Sequence, residues 1–156
     1  EYLDETHPEP PLMPAEPRER AYARALALAT VADTHPLMVP RIRKYLASTF
    51  GADEQAIGAW ARHWIAEGTG TYERMLNRRP PAPFALGARP GIADICIAGH
   101  AVSAGLFNVN LAPWPVFDAL ASRCLALPEI PAARIAPQAV FVVSGTPAQA
   151  WRDGAA

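Results

Sequence analysis

Pro90-Gly91-Ile92-Ala93-Asp94-Ile95 opens a run, Ile92 to Phe107, that is apolar almost all the way round. Asp94 is the only charged residue in that run. A helix with no polar face belongs inside a protein, packed on all sides. A lone carboxylate there needs a defined partner, because an unpaired charge is expensive to take out of water. Helix-start chemistry supplies one. With Gly91 as N-cap, Asp94 stands at N3, and its carboxylate reaches back to the N-cap backbone N–H. The helix N-terminus also favours a negative charge. Pro90 and Ile95 then occupy N′ and N4, the positions of a hydrophobic staple. Gly91 and Asp94 are therefore read as structural residues that start a buried helix.

Upstream, Asp53 to about Arg79 has the best helical periodicity in the chain. Ile57, Trp60, Trp64, Ile65, Gly68, Tyr72, Met75 and Leu76 lie on one stripe. Gly68 inside a helix costs about 1 kcal/mol against Ala, so it is expected to permit a close approach by another helix. Pro17 to about Tyr45 reads as a longer helix, with Pro17 at N1 and Ala21, Ala25, Leu28 and Ala32 at helical spacing. Pro36 and Pro40 must disturb it, because proline lacks a donor and clashes with the preceding turn. A kink near Pro36 is expected, with continuation through Ile42 and Leu46 to a stop at Phe50-Gly51. Downstream, Val116 to Leu127 reads as an amphipathic helix, and Leu127-Pro128-Glu129-Ile130 opens a short one ending near Ala136-Pro137. The fold class is all-α, a helical bundle.

Composition narrows the partners. The chain has 156 residues, about half of them hydrophobic, and a formal net charge of -1. That length suffices for one domain with a real core. The near-neutral balance gives no electrostatic case for nucleic acid or an anionic membrane. No uninterrupted apolar run approaches the roughly 18 residues of a transmembrane helix, and no secretory signal pattern is visible. Cys96 and Cys124 lack metal-ligand spacing and fall in predicted helices. Free buried thiols suit a reducing compartment, so the cytoplasm is the expected location. The start, Glu1-Tyr2-Leu3-Asp4-Glu5, reads like the last turn of a helix, and Pro8, Pro10, Pro11, Pro14 and Pro17 make an extended connector. Residues 1–16 are thus expected to be the end of a missing first domain plus linker, 17–138 a helical domain, and 139–156 a tail. Within that tail, Ala139-Val140-Phe141-Val142-Val143 is β-prone by composition.

No nucleophile motif, phosphate loop, metal cluster or paired-carboxylate constellation appears. His63 is read as solvated helix surface and His100 as a satisfied core histidine. His35 differs, since it precedes a helix-breaking proline, and such breaks free backbone groups and line cavities.

Taken together, these segments resemble the C-terminal domain of glutathione transferases, and most closely the zeta class of maleylacetoacetate and maleylpyruvate isomerases. The resemblance rests on Glu1-Tyr2-Leu3-Asp4-Glu5 before a Pro-rich segment, Trp60, Trp64-Ile65, Gly68 and Glu73. It continues through Phe84 and Gly87, Gly91-Ile92-Ala93-Asp94-Ile95, and Asn110 with Trp114-Pro115, running from Glu1 to about Gln138. It implies a missing thioredoxin-like first domain, glutathione as cofactor, a small-molecule substrate and a homodimer for the full-length protein. It implies that His35 faces glutathione and that Arg41, whose planar fork suits a carboxylate, binds substrate together with Met38 and Leu106. It places no catalytic residue in this chain, because the family's Ser-Ser-Cys motif lies in the first domain.

Three departures bear on the substrate. Met38 and Val39 stand where the family usually has Asn or Gln, and Leu106 stands where zeta enzymes commonly carry an arginine. The expected function is the substrate-binding helical domain of a glutathione-dependent cis–trans isomerase, inactive alone. The alternatives are a transferase conjugating apolar electrophiles, which Leu106 and Met38 suit, or a non-catalytic docking module.

Overall fold

Prolines and acidic caps set the helix starts. The structure, a computed structural model, describes residues 1–133. Helix α1 (Tyr2–Thr6) precedes the proline-rich connector, and α2 (Pro17–Leu28), α3 (Pro40–Phe50), α4 (Glu54–Leu76), α5 (Ile92–Leu106), α6 (Pro115–Leu125) and α7 (Glu129–Ala133) follow. Pro17, Pro40 and Pro115 each take the first helical position, where a missing N–H costs nothing. The Glu16 and Asp53 side chains accept from the Glu19 and Ala56 amides and cap α2 and α4. Strands are absent among the described residues apart from one isolated bridge between Phe84 and Gly87. The architecture is an all-α bundle, as the sequence reading has it. The 139–156 tail, its β-prone Ala139–Val143 segment and the 134–138 end of the helical domain lie outside the described residues.

The first long helix is broken, not kinked. After Leu28 the chain widens into a π-helical turn (Ala29–Thr34) and tightens into a 3-10 turn (His35–Leu37), and α3 starts afresh at Pro40. Two prolines four residues apart explain this. Each withholds a donor, and Val39 between them is extended (φ -62°, ψ 154°), as a residue before proline prefers. Gly51, left-handed at φ 66°, closes α3.

The spacing of Ala21, Ala25, Leu28 and Ala32 identifies a stripe that faces outward. Leu28 is 52% exposed and Val31 57%, while Ala23, Leu26 and Ala29 face the core. Helix α5 is likewise not covered on every side. Ala93, Asp94, Ile97, Ala98, His100, Ala101 and Ala104 are buried, but Ile95 is 44% exposed and Leu106 39%. Periodicity fails to separate the faces of either helix because both faces carry apolar residues.

Leu26, Tyr72, Ile97, Phe117, Leu120 and Cys124 form the main core, where α2, α4, α5 and α6 meet. A second cluster, Met38, Ala61, Ile65 and Ala104, joins the turn after the break to α4 and the end of α5. The connector is docked rather than free. Asp4 Oδ1 accepts the Leu12 and Met13 amides at 2.5 and 3.2 Å, and Leu12 C=O accepts the Ile92 amide at 3.0 Å. A Cβ on Gly91 would lie 2.7 Å from the Leu12 oxygen, so this crossing requires glycine.

Candidate functional site

Asp94 is 2% exposed and is held by more than its own helix. Its Oδ2 accepts the Gly91 amide at 2.9 Å, the expected reach-back to the N-cap. Its Oδ1 accepts the Ala85 amide at 2.9 Å, nine residues upstream, and lies 3.7 Å from Cys124 Sγ on α6. One carboxylate thus ties the α4–α5 loop and α6 to the start of α5. Burial and the neighbouring carboxylate push the Cys124 thiol up to about 12, so it is an inert core group. Burial raises Cys96 as well. Both cysteines are free.

Gly68 is where α4 is crossed. A Cβ there would lie 2.4 Å from Thr34 Cγ2 and 2.8 Å from His100 Cε1. The π-helical turn brings Thr30 and Thr34 inside, next to Thr69, Tyr72 and His100. Thr30 Oγ1 and Tyr72 OH share a 2.6 Å hydrogen bond, and burial pushes the Tyr72 hydroxyl well above its ordinary range. His100 Nε2 lies 3.0 Å from Thr69 Oγ1 and 3.2 Å from Ile65 C=O. Because the Thr69 hydroxyl itself donates to Ile65 C=O, Nε2 carries the proton and Nδ1 is bare. That Nδ1 is buried without a partner, so the histidine is satisfied on one nitrogen only. Burial lowers its pKa to about 4, against the pull of the Ile65 carbonyl, and the nearby His35 lowers it further.

The helix break and the end of α5 share one end of the bundle. Trp60 Nε1 donates to Leu37 C=O at 2.8 Å and fixes the 3-10 turn against α4. His35 is exposed at the head of that turn. Met38 is 6% exposed and packs with Ala61, Ile65 and Ala104, so its side chain is core at this end rather than an open wall. Arg41, the second residue of α3, is exposed and forms no ion pair among the described residues. Leu106 ends α5 with its side chain partly in water, and Phe107 behind it packs on the Met38 cluster. The structure therefore gathers Met38 and the α5 terminus directly, and puts His35, Arg41 and Leu106 on exposed positions flanking them.

Sequence reasoning passes over Arg43, whose guanidinium carbon lies over the Phe107 ring at 5.9 Å from its centroid. It also passes over Glu73, whose Oε2 and Oε1 accept the Phe117 and Val116 amides at 2.8 and 3.3 Å and cap α6 across the helix pair. A groove lined by Leu76, Phe84, Leu120 and Arg123 opens near the C-terminal end of α4. Among the described residues no group of three His, Cys, Asp or Glu could hold a metal ion. No described helix is long and apolar enough to cross a membrane.

No family model matches the chain. Known proteins do. A maleylpyruvate isomerase from a Ralstonia species is 40% identical over 125 residues, which are 80% of this chain and 59% of that protein. The holo structure of a maleylpyruvate isomerase, a bacterial zeta-class glutathione S-transferase, superposes with a TM-score of 0.81 at 38% identity, covering 85% of this chain and 63% of that one. The maleylpyruvate isomerase of Pseudomonas aeruginosa PAO1 matches at 40% identity and a TM-score of 0.79, over 85% of this chain and 69% of that one. A maleylacetoacetate isomerase from Methylobacterium extorquens AM1, solved with malonate and glutathione bound, is 34% identical with a TM-score of 0.80, over 85% and 62% of the two chains. The chain spans about 60% of the length of the curated relatives it matches.

Proposed function

The chain belongs to the zeta class of glutathione transferases, the family of maleylpyruvate and maleylacetoacetate isomerases, and on that premise we propose that it is the substrate-side helical part of a glutathione-dependent cis–trans isomerase of maleyl-substituted keto acids. The observation that carries this reading is the break at His35-Pro36-Leu37, set at the same end of the bundle as the terminus of α5. A broken helix frees polar groups at a defined point, and here it leaves an exposed imidazole there.

The residues present fit a glutathione-facing role. His35 is exposed, and its ring forms no side-chain hydrogen bond among the described residues. No carboxylate occurs between His35 and Phe50 to repel the tripeptide's own. Bound there, glutathione supplies a thiolate for reversible addition to a conjugated double bond. The chain's own residues hold and orient. His35 is proposed to bind glutathione, Arg41 to bind a substrate carboxylate with its planar fork, and Leu106 with the Met38 cluster to wall the site and exclude water. Dimerisation and a first domain carrying the thiol-activating serine are part of the same proposal. The apolar residues left exposed on α2 and α5, Leu28, Val31 and Ile95, suit faces that another domain or subunit covers.

The test is a protein in which this chain follows the thioredoxin-like domain of the Ralstonia relative. His35→Ala in that protein raises KM for glutathione about 5- to 50-fold, the scale of one lost hydrogen bond to a charged group, with the unfolding midpoint unchanged. An unchanged KM removes His35 from the site. A transferase of apolar electrophiles remains the second reading, because Leu106 puts an apolar side chain at the end of α5. It predicts turnover of an uncharged electrophile in place of a maleyl acid.

A further inference from the structure

One charged side chain at this end of the bundle has no structural task that satisfies it. Arg43 is half-buried on α3, with its guanidinium over Phe107. Its Nε is buried and has no hydrogen-bond partner. A buried donor left unpaired is unfavourable, and charged donors most of all. Among the described residues it forms no ion pair, and neither do Arg41 or Lys44 beside it.

The surroundings offer no acid that could serve. From His35 to Phe50 the chain carries His35, Arg41, Arg43 and Lys44 and no Asp or Glu. From Ile95 to Phe117, the segment that includes the end of α5, there is no acidic residue either. Two of these cations, Arg41 and Arg43, stand in the first turn of α3, where the helix dipole disfavours positive charge. A second buried donor in the same corner is also unpaired. Trp64 Nε1 has no partner, and its ring packs on the Met38–Ala61–Ile65–Ala104 cluster, as Phe107 does.

From this we infer that Arg43 is a specificity-determining residue that binds a substrate carboxylate beside Leu106 and Phe107. The inference rests on the isomerase reading and adds a residue to it. Helix α5 ends in an apolar side chain, Leu106, and offers no cation of its own. Arg43 brings one to the same place from α3. The Phe107 ring steadies the flat face of the guanidinium, which leaves the edge donors to grip an anion. Loss of the guanidinium removes a two-point, charge-assisted contact that a lysine replaces only as a point charge.

The experiment titrates the 156-residue chain with maleate and malonate, and with crotonate as a monocarboxylate control. Binding is followed by the fluorescence of Trp60 and Trp64. Arg43→Met weakens dicarboxylate binding at least about tenfold, Arg43→Lys weakens it less, and crotonate affinity changes less than maleate affinity in both. Unfolding midpoints of the same variants are recorded, since a purely structural arginine lowers the midpoint and leaves the affinity of the folded protein alone. Equal dicarboxylate affinity in wild type and Arg43→Met overturns the inference, as does a wild-type chain that binds no dicarboxylate. Turnover of a maleyl acid by the joined two-domain protein judges the isomerase reading separately. Turnover that is indifferent to Arg43→Met keeps that reading and discards this one.

Discussion

Replacing Asp94 with alanine tests how one buried carboxylate organises the domain. The wild-type side chain accepts two backbone hydrogen bonds, from Gly91 and Ala85, both at 2.9 Å. Hydrogen bonds to a charged group contribute about 1.5–3 kcal/mol each. The two losses are unequal. The Gly91 amide is half-buried and water can replace the carboxylate there, whereas Ala85 is only 7% exposed and its amide is orphaned. Removing a negative charge from the first turn of α5 adds roughly 0.3–1 kcal/mol. The expected cost is about 2–5 kcal/mol, a large share of the ~5–15 kcal/mol that holds a typical domain together. Asp94→Asn keeps an acceptor for Ala85 but turns an amide donor toward the Gly91 N–H, so it falls between wild type and alanine, at roughly 1–3 kcal/mol. Urea unfolding followed by tryptophan fluorescence gives the totals. Hydrogen exchange at the Ala85 amide gives the local readout, with protection lost in Asp94→Ala before global unfolding. A loss below about 1 kcal/mol, or an Ala85 amide as protected as in wild type, refutes the reasoning, because the loop would then be held by something else.

Two further outcomes follow from the packing beneath the helix break. Gly68→Ala lowers stability by about 1–3 kcal/mol despite alanine's better helix propensity, because its methyl meets Thr34 Cγ2 at 2.4 Å and His100 Cε1 at 2.8 Å; Thr34→Ser removes the nearer contact and recovers part of the loss, and strict additivity of the two changes contradicts the contact. His100 has its pKa lowered by burial from 6.5 to about 4, so the unfolded chain binds a proton that the folded one refuses, and its contribution is fully present above about pH 6.5 and is lost as pH falls from there toward 4, by roughly 3 kcal/mol at most. Urea midpoints at pH 7 and 4.5 check this, with His100→Gln expected to flatten the difference and an equal pH dependence in the two proteins counting against it.

Much of the fold is legible in the sequence where the chain has one strong reason to do one thing. The start of α5 is such a place, since an acid three residues into an apolar run has few other uses, and Asp94 does reach back to Gly91. The stripe on α4 is another, because its aromatic and aliphatic residues share one face, and Gly68 does mark a close approach. Reading fails where two faces of a helix have similar composition. Ala21, Ala25, Leu28 and Ala32 have the right spacing but point outward, since an apolar exterior carries the same pattern as a core. Proline placement announces a disturbance after Thr34 without saying whether the helix bends or restarts, which depends on Trp60 holding the Leu37 carbonyl from another helix. Long-range polar contacts leave almost no local trace. The second bond of Asp94 to Ala85, the capping of α6 by Glu73 and the seat of Arg43 on Phe107 each join residues 9 to 64 positions apart. The site was legible in its exposed members, His35, Arg41 and Leu106. It was misread at Met38, where an apolar residue next to a break is core and not wall. The acid-free stretch from His35 to Phe50 is the signal that could have found Arg43.

The most direct measurement compares turnover of maleylpyruvate by two proteins in the presence of glutathione. One is this chain alone, and the other is this chain joined behind the thioredoxin-like domain of the Ralstonia relative. The account predicts isomerisation by the joined protein, dependent on glutathione, and none by the chain alone. A joined protein that folds and binds glutathione yet leaves maleylpyruvate unchanged would contradict it, as would turnover by the isolated chain.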